Sequence, residues 1–492
     1  MQSIDFEKLL SQFIYQANQP MIFNSGFFLL LFTGFLFVYY LIADKLRAKL
    51  IFVTLFSYYF YYKSSGIYFL VLLNCTVVDY WLANQIHASK AQLKRKLLLI
   101  TSLVVNLGML AYFKYTNFLA DIFSQVSGGP ERAFDIFLPV GISFFTFQSL
   151  SYTIDVYRGT LKPTNHFLDY AFYLSFFPQL VAGPIVRAAD FIPQIRQTTF
   201  VSKEMIGRGF FLIVTGLFKK AVISNYISLN FVDRVFDAPA LYSGLENLFA
   251  VYGYALQIYC DFSGYSDMAI GIALLLGFHF NINFNSPYRS LNITEFWRRW
   301  HISLSSWLKD YLYISLGGNR KGKIRTYINL LITMLLGGLW HGAAIRFIIW
   351  GGLHGAALAL HKYISGLNFF SNLNTKRSVN MIGWLITFHF VCFCWIFFRA
   401  PDLETVSVMI KQIIFSFSGH LLPQLINGYP FVILLMAIGY FLHFLPESTE
   451  QWAERQSIRI PMAGKVIILT LMIILVIQTK SADIQPFIYF QF

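Results

Sequence analysis

Apolar segments long enough to cross a lipid bilayer recur along the whole chain. A helix needs about 20 consecutive apolar residues to span the hydrocarbon core of a bilayer. The clearest segments of this kind cover residues 9–43, 97–113, 326–345, 380–398, 429–445 and 466–478. Shorter or interrupted apolar segments lie between them. The pattern predicts an all-α, polytopic membrane protein with about eleven transmembrane helices, plus re-entrant and interfacial helices.

The composition and the distribution of charge agree with this class. Only 13% of the 492 residues are charged, against roughly a quarter in a soluble domain, and the mean hydropathy is +0.56. A net charge of +14 raises the question of nucleic acid, but the basic residues cluster in short stretches such as 90–96 and 320–325. The positive-inside rule expects that of cytoplasmic loops. Membrane lipids, and no nucleic acid, are therefore the predicted surroundings.

The same rule predicts an orientation for the first span. Asp5 and Glu7 precede it and are expected outside, whereas Lys45 follows it and is expected in the cytoplasm. Lys219 and Lys220 are assigned to another short cytoplasmic loop.

Ionisable residues inside apolar segments are costly and are therefore functional candidates. His341 lies in GGLWHGAAIRF (337–347), directly after an apolar run. The neighbouring glycines, Gly337, Gly338 and Gly342, would let another backbone or a ligand approach the imidazole. An imidazole is the side chain best suited to removing a proton from a hydroxyl near neutral pH. The alternative is a neutral histidine that is hydrogen-bonded between helices.

A second candidate stretch is FWRRWHISLSSWLKDYLYI (296–314). Apolar side chains recur there at three- and four-residue steps, at Trp297, Trp300, Leu304, Trp307 and Tyr311. The spacing predicts one amphipathic helix at the membrane interface. His301, at the edge of the apolar face, is expected to point inward toward His341, with Arg298 and Arg299 on the polar face. The alternative is a surface helix whose basic residues hold lipid phosphates.

A third polar stretch is YCDFSGYSDMAIG (259–271). Asp261 and Asp267 flank a Ser-Gly pair, which suggests a helix broken around a cavity. The two carboxylates could orient a histidine or bind a cation, although their spacing predicts no metal site. Helix capping is the alternative role for them.

The stretch 296–314, followed by GLWHG (338–342), resembles the paired-histidine signature of the membrane-bound O-acyltransferases. The resemblance is closest to the bacterial branch that contains the alginate O-acetyltransferase membrane subunit and the teichoic acid D-alanylation subunit. Supporting stretches are LPVGISFFTFQSLSYTIDVYRG (138–159), FFPQLVAGPIVR (176–187) and QIYCDFSGYSDMAIG (257–271). The similarity covers residues 20–400, and beyond that point the chain matches only in being hydrophobic.

The resemblance implies helices arranged around a central tunnel, with an O-acyltransferase core over residues 1–400 and C-terminal transmembrane helices of the same membrane domain over 401–492. The histidine of the W-H-G motif falls on His341, which is implied to be catalytic, and the upstream histidine of the signature falls on His301. Arg298 and Arg299 are candidates for binding the phosphates of coenzyme A.

The implied activity is transfer of an acyl group, expected to be acetyl, from a cytoplasmic thioester to a hydroxyl acceptor on the other side of the bacterial inner membrane. Acetyl-CoA is the expected donor, with no permanently bound cofactor and no metal. The final acceptor is expected to be a polysaccharide such as alginate. A separate extracytoplasmic partner is also expected, because the longest loops, 241–248 and 365–377, are too short to build a soluble active site.

A non-catalytic scaffold descended from an acyltransferase remains open on the sequence, although histidines at both signature positions argue against it. Two other activities also remain open. One is D-alanyl transfer to teichoic acid, with a carrier-protein thioester as donor. The other is a secondary transporter, which is also a helical bundle with intramembrane acids, although the two halves of this chain show no matching hydropathy pattern. The remaining histidines, including His354 and His443, are interpreted as structural.

Overall fold

A computed structural model of the chain describes residues 11–17, 20–130, 133–197, 200–367 and 377–479. All regular secondary structure among these residues is helical, which confirms the predicted all-α class. Asp5 and Glu7, on which the predicted orientation of the first span depends, lie outside the described residues, as does most of the loop 365–377.

The chain forms two compact units. The first contains the residues up to Gly209 together with Ala269–Asn281, and the second contains Phe210–Met268 and the residues from Ile282 onward. The predicted boundary near residue 400 stays a prediction.

Among the described residues, the first unit contains eight α-helices, the start of a ninth and the last residues of the helix Gly244–Leu275. The nine are α1 (Gly26–Leu41), α2 (Leu46–Ser65), α3 (Phe69–Ala88), α4 (Gln92–Ser127), α5 (Ile142–Arg158), α6 (Phe167–Ser175), α7 (Phe177–Leu180), α8 (Ala188–Ile195) and α9 (Lys203–Leu217). The buried Asp79 of α3 accepts hydrogen bonds from Ser102 and Asn106 of α4 and from Ser149 of α5. This intramembrane carboxylate therefore ties three helices together.

The second unit contains the remaining described α-helices, except that the last residues of the helix Gly244–Leu275, from Ala269 onward, belong to the first. These helices are α10 (Asn225–Ile227), α11 (Asp233–Asp237), α12 (Gly244–Leu275), α13 (Ile293–Arg299), α14 (Ile302–Trp307), α15 (Lys323–His341), α16 (Ile345–Ser365), α17 (Arg377–Arg399), α18 (Leu403–Phe415), α19 (Leu422–Gly428), α20 (Pro430–Phe444), α21 (Glu447–Arg459) and α22 (Met462–Thr479). Three π-helical segments join some of them, at Phe218–Ser224, Ser228–Val232 and Leu308–Tyr313.

Several of these helices can cross a membrane. Among the described residues, four helical segments are long and apolar enough, namely Leu46–Ala88, Gln92–Ser127, Ser378–Arg399 and Met462–Thr479. Two bent pairs, α18 with α19 and α20 with α21, raise the number to six if each is one span. The chain is therefore a multi-pass membrane protein. The predicted total of about eleven spans stays a prediction. Many of the apolar segments form helices that are too short to be identified as membrane spans by their length.

The predicted break of the helix at 259–271 is wrong. Helix α12 runs without interruption through Asp261, Gly264 and Asp267. Gly264 serves close helix packing and forms no turn, since a Cβ there would lie 2.7 Å from the carbonyl oxygen of Gly216 on α9. The two carboxylates consequently face neighbouring helices from the middle of a regular helix.

The assignment of Lys219 and Lys220 to a loop is also wrong. Both lie in the π-helical segment that continues α9. The Lys219 Nζ is 2.6 Å from Asp267 Oδ2, and Lys220 forms a buried ion pair with Asp261. The cations that these carboxylates bind are thus lysine side chains of the same chain. The pairing makes it tolerable to bury Lys220 and Asp261 fully and the other pair partly.

Helices α15 and α16 pack closely through glycines. A Cβ on Gly338 would lie 2.2 Å from the carbonyl oxygen of Phe347, and a Cβ on Gly351 would lie 2.2 Å from that of Met334. Small residues at such positions let two helix backbones approach within a membrane. Of the glycines near His341, Gly338 therefore admits another backbone, that of α16, whereas a Cβ on Gly337 or Gly342 would meet the side chain of Leu308 or Phe347.

We expect Gly338→Ala to destabilise the protein by about 1–3 kcal/mol, because the added methyl forces the two backbones apart. Thermal unfolding of the purified protein in detergent, followed by tryptophan fluorescence, measures the effect. Gly352→Ala is the matched control, since its Cβ would meet only Leu335 Cδ2 at an ordinary 3.5 Å. Equal unfolding temperatures for the two variants would show that this contact does not limit the packing.

Candidate active site

The chain around His301 is broken, and the predicted continuous helix over 296–314 is therefore wrong. Helix α13 ends at Arg299, and α14 begins at Ile302. Between them His301 has φ +43°, a left-handed conformation that costs a non-glycine residue about 1–3 kcal/mol. The prediction of the buried face is nevertheless correct, since Trp297, Trp300, Leu304, Trp307 and Tyr311 are all buried.

An extended segment of the same unit holds this break in place. The backbone N–H of Ile302 donates to the Asn283 carbonyl oxygen at 2.9 Å, and the N–H of Asn285 donates to the Arg299 carbonyl oxygen at 2.9 Å. The side-chain oxygen of Asn283 also accepts hydrogen bonds from the backbone N–H and the hydroxyl of Ser303, at 3.2 and 2.9 Å. Several hydrogen bonds to this segment thus hold His301 in its left-handed backbone conformation.

Asn283 also determines which nitrogen of the neutral His301 ring carries the proton. His301 Nδ1 lies 3.2 Å from Asn283 Oδ1. The orientation of that amide is fixed because a backbone N–H, that of Ser303, can only donate to it. His301 Nδ1 must therefore carry a proton, and Nε2 of the neutral ring carries the lone pair. The ring is fully buried and packs edge-to-face on Phe262, with 4.6 Å between ring centroids.

His341 is the last residue of α15 and is buried, with 3% of its surface exposed. Three aromatic rings meet the imidazole edge-to-face, those of Trp340, Trp350 and Phe398, at centroid distances of 5.0, 5.0 and 5.2 Å. Such a cage fixes the plane of the ring and excludes water. His341 lies in the last turn of α15, and the carboxyl end of a helix favours a positive charge.

The two histidines meet the same tryptophan. The ring of Trp340 lies 6.2 Å from the His301 ring and 5.0 Å from the His341 ring, between centroids. The two histidines of the sequence motif thus lie next to the same indole ring.

A cavity of about 450 Å³ adjoins this region. Its walls include Trp297, Arg298 and Ile302 from α13 and α14, and Thr333 and Met334 from α15. Ile302 directly follows His301, and Met334 lies about two helical turns before His341, so the cavity is lined by the elements that carry both histidines, although neither histidine lines it. Its volume is in the usual range for small-molecule sites.

The charged residues of this cavity are basic. Arg298, Lys309 and Lys362 line it, and none of the described lining residues is acidic. Arg299 is directed elsewhere, with its Nε 2.9 Å from Glu295 Oε1 and its Nη1 3.2 Å from the Asn285 carbonyl oxygen. Of the two arginines that the sequence singles out, Arg298 is the one that lines a cavity.

One residue of the site, Asn283, is missed in the sequence analysis. It lies in the non-helical segment NINFNS, where alternating asparagines are a weak signal by themselves. His354 is structural, as expected from the sequence. It is fully buried, its ring lies 4.8 Å from that of Trp350 between centroids, and it accepts a hydrogen bond from Trp297 Nε1 at 3.3 Å. It therefore supports Trp350, one of the three rings around His341.

The fold and the site agree with what comparison with known proteins shows. Residues 10–400 match the model of the MBOAT, membrane-bound O-acyltransferase family. The chain belongs to this family, and it is an O-acyltransferase.

Named relatives are similar over most of the chain. The probable alginate O-acetylase AlgI of Pseudomonas aeruginosa is 42% identical over 411 residues, which is 82% of this chain and 77% of that protein. The peptidoglycan O-acetyltransferase of Helicobacter pylori is 38% identical over 427 residues, 80% of each chain. The teichoic acid D-alanyltransferase of Bacillus subtilis is 30% identical over 278 residues, 54% of this chain and 69% of that protein.

Proposed function

We propose that the protein transfers an acetyl group from acetyl-CoA in the cytoplasm to a hydroxyl acceptor on the outer side of the bacterial inner membrane, for O-acetylation of a polysaccharide. The observation that carries this proposal is the pair of histidines at the ring of Trp340, on elements that also line a basic cavity. The names of two similar proteins, an alginate O-acetylase and a peptidoglycan O-acetyltransferase, favour acetyl as the group and a polysaccharide as the acceptor.

His341 acts as the general base in this scheme. It takes the proton from the acceptor hydroxyl while the oxygen attacks the thioester carbonyl carbon, and a C–O bond forms. The tetrahedral intermediate then collapses with cleavage of the C–S bond, and the imidazolium returns the proton to the leaving thiolate. Proton transfer of this kind contributes about 10²- to 10⁴-fold to the rate.

His301 has a different role in the reaction, which follows from the position of its ring proton on Nδ1. Because Nδ1 donates to Asn283, Nε2 of the neutral ring accepts a hydrogen bond. The pantetheine arm of coenzyme A carries amide N–H groups, and one of them is a suitable donor to Nε2. His301 thus holds the thioester in place for attack, whereas stabilising an oxyanion would require a second proton on a buried ring.

Arg298 binds the phosphates of the donor. We expect Arg298→Gln to raise the KM for acetyl-CoA about three- to tenfold, the usual size for one partly exposed hydrogen bond to a charged group. The KM for S-acetylpantetheine, which lacks the nucleotide and its phosphates, should stay unchanged. Initial rates of thiol release with the two donors measure both values.

Arg299→Gln is the matched control for this prediction, because Arg299 is already paired with Glu295. It should leave the ratio of the two KM values at the wild-type level. If Arg298→Gln raised both KM values equally, Arg298 would position the thioester end or the helix and would not bind phosphate.

The proposed reaction is tested with the purified protein in lipid vesicles, supplied with labelled acetyl-CoA and a soluble alcohol acceptor. Release of free thiol with transfer of label to the alcohol is the expected result. Consumption of a D-alanyl carrier-protein thioester, with acetyl-CoA left intact, would replace the proposal by D-alanyl transfer. Movement of a solute without thioester consumption would replace it by transport.

A further inference from the structure

The second compact unit contains another cavity. Neither His301 nor His341 lines it, and the proposed acyl transfer does not use it. Its volume is about 240 Å³, and its walls come from α9, α12, α20, α21 and the π-helical segment after α9. The polar groups in these walls include Lys219, His443, Thr449 and Glu450. The cavity is smaller than a site for a whole drug-sized molecule, so it suits a small polar group.

His443 presents a buried hydrogen-bond donor at this cavity. The backbone N–H of Tyr288 donates to His443 Nε2 at 3.1 Å, so the proton of the neutral ring is on Nδ1. Nδ1 makes no hydrogen bond with any described residue, and His443 is 4% exposed. A buried donor without an acceptor is costly, which points to a ligand with an acceptor oxygen.

The charges at the cavity favour a ligand that carries both signs. Lys219 is paired with Asp267 at 2.6 Å, and Glu450 adds a further carboxylate. Arg289 adds a cation close to His443, so the four groups together carry no net charge. A neutral zwitterion matches this balance, because its phosphate can lie toward Lys219 and His443 Nδ1 and its ammonium toward Glu450.

The position of the cavity at the junction of α20 and α21 indicates that it lies at the depth of the lipid headgroups. The apolar helix α20 ends one residue after His443, and the polar helix α21 is bent by 95° relative to it. A polar helix that lies across the direction of a membrane span is typical of the membrane surface. Leu442, which lines the cavity, is 45% exposed and continues the site into the apolar surface.

We propose that this cavity binds the headgroup of a phospholipid with a primary ammonium, such as phosphatidylethanolamine. The phosphate accepts a hydrogen bond from His443 Nδ1, the ammonium pairs with Glu450, and the acyl chains lie along α20 in the bilayer.

Native mass spectrometry of the delipidated full chain in detergent tests this site. The probes are phosphatidylethanolamine, phosphatidylglycerol and soluble phosphoethanolamine. We expect one tightly retained phosphatidylethanolamine, with binding about tenfold tighter than that of phosphatidylglycerol. Equal retention of the two lipids, or equally tight binding of soluble phosphoethanolamine, would overturn the proposal.

Substitutions of Glu450 and His443 test whether the lipid binds in this cavity. Glu450→Gln should weaken binding of phosphatidylethanolamine about tenfold and leave that of phosphatidylglycerol unchanged. Glu447→Gln is the control, because Glu447 is an exposed carboxylate on the same helix that does not line the cavity. His443→Phe should weaken binding of both lipids. Should His443→Phe fail to fold, Glu450→Gln decides alone, and wild-type affinity in that variant would refute the site.

Discussion

Replacing His341 by alanine is expected to lower the rate of acetyl transfer by about 10²- to 10⁴-fold, the usual contribution of a general base. The KM for acetyl-CoA should change little, because the cavity lined by Arg298 does not include His341. His341→Gln should lose as much activity as His341→Ala. Glutamine keeps most of the volume inside the aromatic cage but cannot take up a proton.

His420→Ala is the matched control, since this histidine is exposed and lies in the second unit away from the cage. Rates are compared at equal amounts of folded protein, judged by gel filtration. Substantial activity in His341→Gln would mean that the ring fills space within the cage and that the base is another group.

The largest loss of stability is expected for Lys220→Met. The variant leaves Asp261 as a buried carboxylate without its lysine, and breaking a buried ion pair in this way typically costs 3–5 kcal/mol. Removing both charges, in Lys220→Met with Asp261→Leu, should restore much of the loss, because a pair of apolar side chains often replaces a buried ion pair at little cost. Thermal unfolding in detergent measures both variants.

Lys219→Met is the comparison for that experiment. Its pair with Asp267 has side chains that are 26% and 20% exposed, against 2% and 4% for Lys220 and Asp261. Solvent therefore compensates part of the loss, and a smaller destabilisation is expected. If Lys220→Met unfolded at the wild-type temperature, the lysine would not be holding the α9 extension against α12.

The histidine pair and the buried face of 296–314 could be predicted from the sequence because both depend on local pattern. Periodic tryptophans indicate which side of a helix is buried, whatever the partner. The break at His301 could not be predicted, because its left-handed backbone is stabilised by Asn283, which is 18 residues away in the chain. Hydrophobic periodicity carries no information about such a tertiary contact.

The two wrong predictions around α12, the helix break at 259–271 and the loop at Lys219 and Lys220, have the same origin. A Ser-Gly pair between two aspartates is a reasonable turn signal, but Gly264 is there because the backbone of α9 approaches it. Lys219 and Lys220 were assigned to a loop because charges in an apolar chain usually mark one. Their partners lie 48 and 41 residues further along, beyond the reach of any local hydropathy window.

Sidedness of the transfer tests the central claim most directly. Vesicles with the cytoplasmic face outward receive labelled acetyl-CoA outside, and a hydroxyl acceptor is trapped in the lumen together with an impermeant dye that reports leakage. The proposed function predicts label on the lumenal acceptor with the wild-type protein and none with His341→Ala. Label that reaches an acceptor only when donor and acceptor share the same side would contradict transfer across the membrane.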